Sequence, residues 1–232
     1  MIDAPALQLP FEKLETDVAW DPERHLEVTP PEQVVLLEEW GRRLRARRRS
    51  PRSRSRSRFA SSPTRAPRPS GRSATELEAY ATGMERIPKK LRGPVYRPAF
   101  LRGMTFDPTI LAFLSELAHV RLEPHPVHHH AVHINYAPDD LSLNVDQWHG
   151  DAVAFDYVLL ASDPRGMQGG RFEYYAGPVE EGRDLLLAGE QLPPEKVRSP
   201  ELPAAGWAVS SRDIACSTAR ASSRRATRAS RW

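Results

Sequence analysis

The chain has a single cysteine, Cys216, in 232 residues. No disulfide framework can form within it, and that usage suits a reducing compartment. No apolar run is long enough to cross a bilayer. The start, Met1-Ile2-Asp3-Ala4-Pro5, lacks a basic region followed by an apolar stretch, so no secretory signal is expected. Acid is absent from residues 42–73, which hold 13 Arg, and residues 212–232 hold 6 Arg with Asp213 as their one acid. Outside these two segments, 14 basic side chains face 29 acidic ones. The formal charge of +3 therefore describes two segments of an otherwise acidic chain, which removes the usual reason to read a basic protein as a nucleic-acid binder.

Five segments follow from the pattern. Residues 1–41 form an N-terminal helical segment. Thr29-Pro30-Pro31-Glu32 is a helix start, with a hydroxyl cap and prolines in the first turn. Val34, Val35, Leu36, Leu37 and Trp40 supply an apolar stripe, which predicts a helix over 31–45. Residues 42–73, centred on Ser50–Arg58, have almost no apolar content and read as an Arg/Ser-rich tract, disordered or out of frame. Residues 74–118 are a helical lead-in: a short helix over Ala74–Thr82 ended by Gly83, a loop over 84–106, then a helix opened by Asp107-Pro108. Ile110, Leu111, Phe113, Leu114 and Leu117 follow at helical spacing. Over 119–209 the pattern becomes strands, at Arg121–Pro124, Ala131–Tyr136, Val153–Ser162, Arg171–Ala176 and Gly206–Val209. Short strands separated by Gly and Pro turns predict a mainly β sandwich or jelly roll with N-terminal helices. Residues 210–232 are a tail without strand pattern, expected to be disordered.

The chemistry centres on Gln147-Trp148-His149-Gly150-Asp151. His149 and Asp151 fall on one face of an extended strand, since side chains alternate with period two. They offer an imidazole nitrogen and a carboxylate to one ion, two thirds of a facial triad that leaves open positions on iron(II). The surroundings sharpen this. His133-Ile134-Asn135-Tyr136 precedes the motif. Phe155–Leu160 follows it as a strand, and Gly169-Gly170-Arg171-Phe172-Glu173-Tyr174 supplies a turn and a further strand. Ala205–Val209 comes last.

In this order and spacing, residues 119–209 resemble an iron(II)/2-oxoglutarate-dependent dioxygenase. The resemblance implies a double-stranded β-helix (jelly roll), with His149 and Asp151 as metal ligands. Asn135 and Tyr136 would line the pocket of the cosubstrate 2-oxoglutarate. The activity implied is hydroxylation-type oxidation of a substrate, with release of succinate and CO2. The family also requires a distal His and a late Arg that anchors the cosubstrate, yet no His follows His149. The jelly roll is accordingly expected to be incomplete at its C-terminus and the activity impaired. A lost reading frame explains the gap. One base inserted after the Val209 codon lets GC-rich codons encode His-Arg-Ala, with the His across the Ser217 and Thr218 codons, then Arg-Val-Thr-Met, with the Arg across those of Arg228 and Ala229. A second slip, entered near 42–50 and restored near 70–74, accounts for the Arg-rich tract.

Plainer readings stand beside these. His125, His128, His129, His130 and His133 are polar or partly buried histidines before they are a zinc site, because no Cys or carboxylate completes a set. Asp156 and Glu173 are carboxylates bonded within a barrel, Asp139-Asp140 is a turn, and Trp148 is packing. If Ser53–Arg58 is genuine, the alternative is a non-catalytic jelly-roll protein whose Arg/Ser-rich arm binds RNA or other acidic partners. A cytoplasmic location is expected, or a nuclear one on that alternative, with no membrane partner.

Overall fold

The computed structural model describes residues 18–27, 34–36, 58–65, 69–140, 142–150, 153, 155–167, 169–211 and 215–218. In chain order the helices are α1 (Pro22–His25), α2 (Pro69–Leu77), α3 (Ala99–Thr105), α4 (Pro108–Ala118), α5 (His128–Ala131) and α6 (Val179–Leu187). The strands are β1 (Val34–Leu36), β2 (Arg58–Arg65), β3 (Lys90–Arg92), β4 (His133–Asn135), β5 (His149–Gly150), β6 (Asp156–Leu159), β7 (Phe172–Tyr175), β8 (Val197–Arg198), β9 (Trp207–Ser211) and β10 (Ala215–Thr218).

Local chemistry sets the helical layer. The Asp107 carboxylate caps α4 by accepting from the backbone N–H groups of Thr109 at 2.8 Å and Ile110 at 3.1 Å, with Pro108 in the first turn. It also accepts the Trp20 indole N–H at 2.7 Å, which pins an earlier segment onto the same helix end. Leu77, Leu91, Phe100, Leu101, Met104 and Tyr136 form the buried core here, with Trp20, Ile110 and Leu159 packed around it.

Among the described residues all strand pairs are antiparallel, in two four-stranded sheets ordered β1-β2-β9-β6 and β5-β10-β7-β8 and one two-stranded sheet, β3-β4. The second half of the chain pairs in a nested order. β7 pairs with β8, β6 with β9, and β5 with β10, while β6 and β9 lie in a different sheet from the other four. No closed barrel forms among the described residues. Phe172, Tyr174 and Val209 are the buried core of this half, with Val158 and Ala176 against them. Neighbouring residues of β6 thus serve different cores, Val158 the sheets and Leu159 the helices, as period-two alternation requires.

Several expectations are corrected. Instead of a helix over 31–45, Val34–Leu36 form a strand on β2; two adjacent β-branched residues suit a pleated ribbon once a partner strand is present. Residues 31–33 and 37–45 lie outside the described set. The Arg/Ser-rich tract contributes Arg58–Arg65 as β2, because sheet pairing satisfies backbone groups whatever the side chains. Its residues 42–57 and 66–68 lie outside the described set. The helix read as Ala74–Thr82 begins at Pro69 and gives way at Glu78 to a 3-10 turn.

The loop read over 84–106 contains β3, a 3-10 turn over Pro94–Tyr96, and α3. Pro94 and Pro98 stand at the starts of the two helical turns, where a missing N–H costs nothing. Arg121–Pro124 is in no strand, and His128–Ala131 is helical, so His128 and His130 do not share a strand face. The tail expected to lack structure carries β9 to Ser211 and then β10, again through backbone pairing; residues 219–232 lie outside the described set. The strands read at Ala131–Tyr136, Val153–Ser162, Arg171–Ala176 and Gly206–Val209 are present as β4, β6, β7 and β9.

Candidate functional site

β5 is an edge strand bonded on one side to β10, with His149 opposite Cys216 and Gly150 opposite Ala215. Asp151, the second expected metal ligand, lies outside the described residues. The His149 side chain is partly exposed, and its Nδ1 lies 2.7 Å from the Gln147 carbonyl oxygen. A carbonyl only accepts, so Nδ1 carries a proton and the lone pair of the neutral ring sits on Nε2. That is the tautomer of a metal-ligating histidine whose other nitrogen is held by the protein.

The group that organises this site is one the sequence reading passed over. Asp146 is buried at 4% exposure. Its Oδ1 accepts the Gln147 N–H at 2.7 Å and lies 3.1 Å from Arg86 Nη1 and 3.8 Å from His149 Nδ1. Its Oδ2 accepts from Asn135 Nδ2 at 3.3 Å. The Arg86 contact is an ion pair without hydrogen-bond alignment. The signal in the sequence was an acid three residues before His149.

Asn135, expected beside the cosubstrate, is thereby tied to His149 through Asp146, and its Oδ1 is buried with no hydrogen-bond partner. Across the β3–β4 pair from Asn135 stands Lys90, only 6% exposed, its ammonium against the Met84 sulfur. Burial lowers its pKa, Arg92 and Arg86 lower it further, and Asp146 opposes them. Tyr136 goes elsewhere. Its ring packs in the helical core and its hydroxyl donates to the Ala74 carbonyl at 2.8 Å, while burial and Glu78 raise its pKa.

The histidine cluster divides: the His129 and His130 rings meet at a centroid distance of 5.4 Å and the His125 and His130 rings at 5.8 Å, while His128 packs elsewhere. His128 packs on Phe106 and His129 on Tyr96, with ring centroids 4.5 Å and 6.5 Å apart. The Arg92 guanidinium donates to His130 Nδ1 at 3.1 Å, and desolvation, Arg92, His129 and His125 all lower the His130 pKa. Asp140 makes the expected turn, its carboxylate accepting the Ser142 N–H at 2.9 Å, and Asp139 bonds Lys89 at 2.9 Å. Asp156 and Glu173 stand in β6 and β7, opposite Ser211 and Ser217.

For a bound metal, His149 is a fitting donor by its tautomer. No group of three His, Cys, Asp or Glu able to hold an ion occurs among the described residues. No helix among them is long and apolar enough to cross a membrane. No family model, no curated protein and no solved structure matches the chain.

Proposed function

We propose that this chain is the core of an iron(II)/2-oxoglutarate-dependent oxygenase whose C-terminus has lost its reading frame. The observation that carries the reading is the nested pairing with His149 on its outermost described rung. A jelly roll is wound as one long hairpin whose rungs alternate between two sheets. On this reading β7·β8, β6·β9 and β5·β10 are successive rungs of a double-stranded β-helix, and the next would join β4 to a strand after β10.

His149 and Asp151 would hold the iron, which with 2-oxoglutarate supplies oxidation of a substrate, releasing succinate and CO2. The chain's own residues prepare for it. The Gln147 carbonyl holds the proton on His149 Nδ1, and Asn135 flanks the cosubstrate side. The third donor and the cosubstrate's basic anchor are the elements displaced from residues 210–232, so the chain as it stands holds iron weakly and turns over little.

The test is to supply the donor. Thr218 lies two positions from Cys216, which pairs with His149, so position 218 belongs to the same face of the sheet as His149. Thr218→His is expected to tighten Mn(II) binding at least tenfold over the original chain. A chain with the frame restored after Val209 is expected to bind Mn(II) and produce succinate from 2-oxoglutarate. Absence of metal binding by the frame-restored chain overturns the reading. If salt-sensitive RNA binding accompanies that absence, the non-catalytic alternative with its Arg/Ser-rich arm replaces it.

A further inference from the structure

We propose that Asp146 is the positioning residue for His149, held to that task by Arg86 and Asn135. Burying a carboxylate is costly unless charge and hydrogen bonds compensate. Asp146 is compensated from three places: Arg86 before β3, Asn135 on β4, and the N–H of Gln147. The arrangement has a direction. Asp146 fixes residue 147 by its N–H, and the carbonyl of the same residue accepts His149 Nδ1–H at 2.7 Å. The carboxylate also stands 3.8 Å from Nδ1, where its charge favours a proton on that nitrogen. Both effects keep the lone pair on Nε2 and fix the ring plane, the service a metal histidine needs from its surroundings. The inference rests on the oxygenase reading only for what the ring is positioned to bind. Its geometry ties the otherwise separate β3–β4 pair to the edge strand β5.

The experiment uses the full chain. Long-range proton–nitrogen NMR, assigned with His149→Gln, reads the tautomer of His149 without any metal. The original chain is expected to show one Nδ1–H species. Asp146→Asn, which keeps the shape and removes the charge, is expected to give a mixture with the Nε2–H species. Asn135→Ala, which loosens the carboxylate without leaving a new charge unpaired, should shift the populations less and in the same direction.

A purely structural role for Asp146 would lower the unfolding temperature and leave the tautomer alone. A single unchanged Nδ1–H species in both variants therefore overturns the proposal. Mn(II) titration followed by electron paramagnetic resonance is the second arm, with affinity expected to fall about 10–100-fold in Asp146→Asn. A tautomer shift without Mn(II) binding by any form, the frame-restored chain included, keeps the positioning role and removes the oxygenase reading.

Discussion

Phe100 and Phe172 are both buried aromatic residues at the centre of a core, but their neighbours come from different distances along the chain. Phe100 packs with Leu77, Leu91, Leu101 and Met104 from nearby and with Tyr136 from further away, and the Trp20 and His25 rings reach it from the start of the described residues at centroid distances of 5.3 Å. Phe172 packs with Val209 and Val158, and its strand is paired by Thr218. The helical layer is thus built mostly from near neighbours, with Trp20 and His25 brought in from far along the chain, and its helix α4 is capped by its own Asp107. The sheets depend on closing long loops, a cost met only when all the rungs form together. A change within residues 208–218 therefore weakens the sheets and the strand of His149 before it reaches the helices.

Four substitutions test that contrast, taken from the largest expected effect down. Phe100→Ala should cost about 3–5 kcal/mol of unfolding free energy in a denaturant titration, since a fully buried ring is removed from the larger cluster. Phe172→Ala should fall at the low end of that range, about 3 kcal/mol, because its cluster is smaller. An equal or larger loss at Phe172 would reverse the ranking of the two cores. Gly103→Ala should cost about 1–3 kcal/mol although alanine favours helices, because a Cβ there would overlap Trp20 Cβ; a stabilised variant would show that Trp20 yields freely.

Asp107→Ala should cost about 1–2 kcal/mol through loss of the α4 cap. The same residue predicts a pH dependence. Burial pushes the Asp107 carboxyl up, but bonds from Trp20, Ile110 and Thr109 outweigh it and hold the group below its ordinary value of 3.8. A carboxyl depressed in the folded state stabilises it fully above that ordinary value. The stabilisation is lost as pH falls through the lower folded value. Unfolding curves recorded from pH 5 downward should show this loss in the original chain and not in Asp107→Ala.

What could be read in advance followed from local chemistry. Asp107-Pro108 announced α4 because a cap and a first-turn proline act within four residues. Short strand-like runs set off by Gly and Pro turns announced β4, β6, β7 and β9, because turn chemistry acts within a few residues whatever the pairing. Val34–Leu36 misled because a short apolar run fits helix and strand equally until a partner appears. Arg58–Arg65 and Ala215–Thr218 were unreadable as strands, since their place in the sheets comes from neighbouring backbones and not from their own side chains. Asp146 was passed over because its partners, Arg86 and Asn135, are distant in sequence and meet only through folding.

By itself the sequence determined an acidic chain with two Arg-rich segments, a capped helical lead-in, a run of short strands, and a His-x-Asp pair just before the third of those it predicted. Those are properties of windows a few residues long, where propensity and side-chain spacing act directly. The tertiary structure decided the nested order of the strands, the placement of β10 against His149, and the buried carboxylate that holds the imidazole. Each of these needs groups far apart in the chain to meet. Backbone pairing and charge compensation can act on them only after the intervening loops have closed.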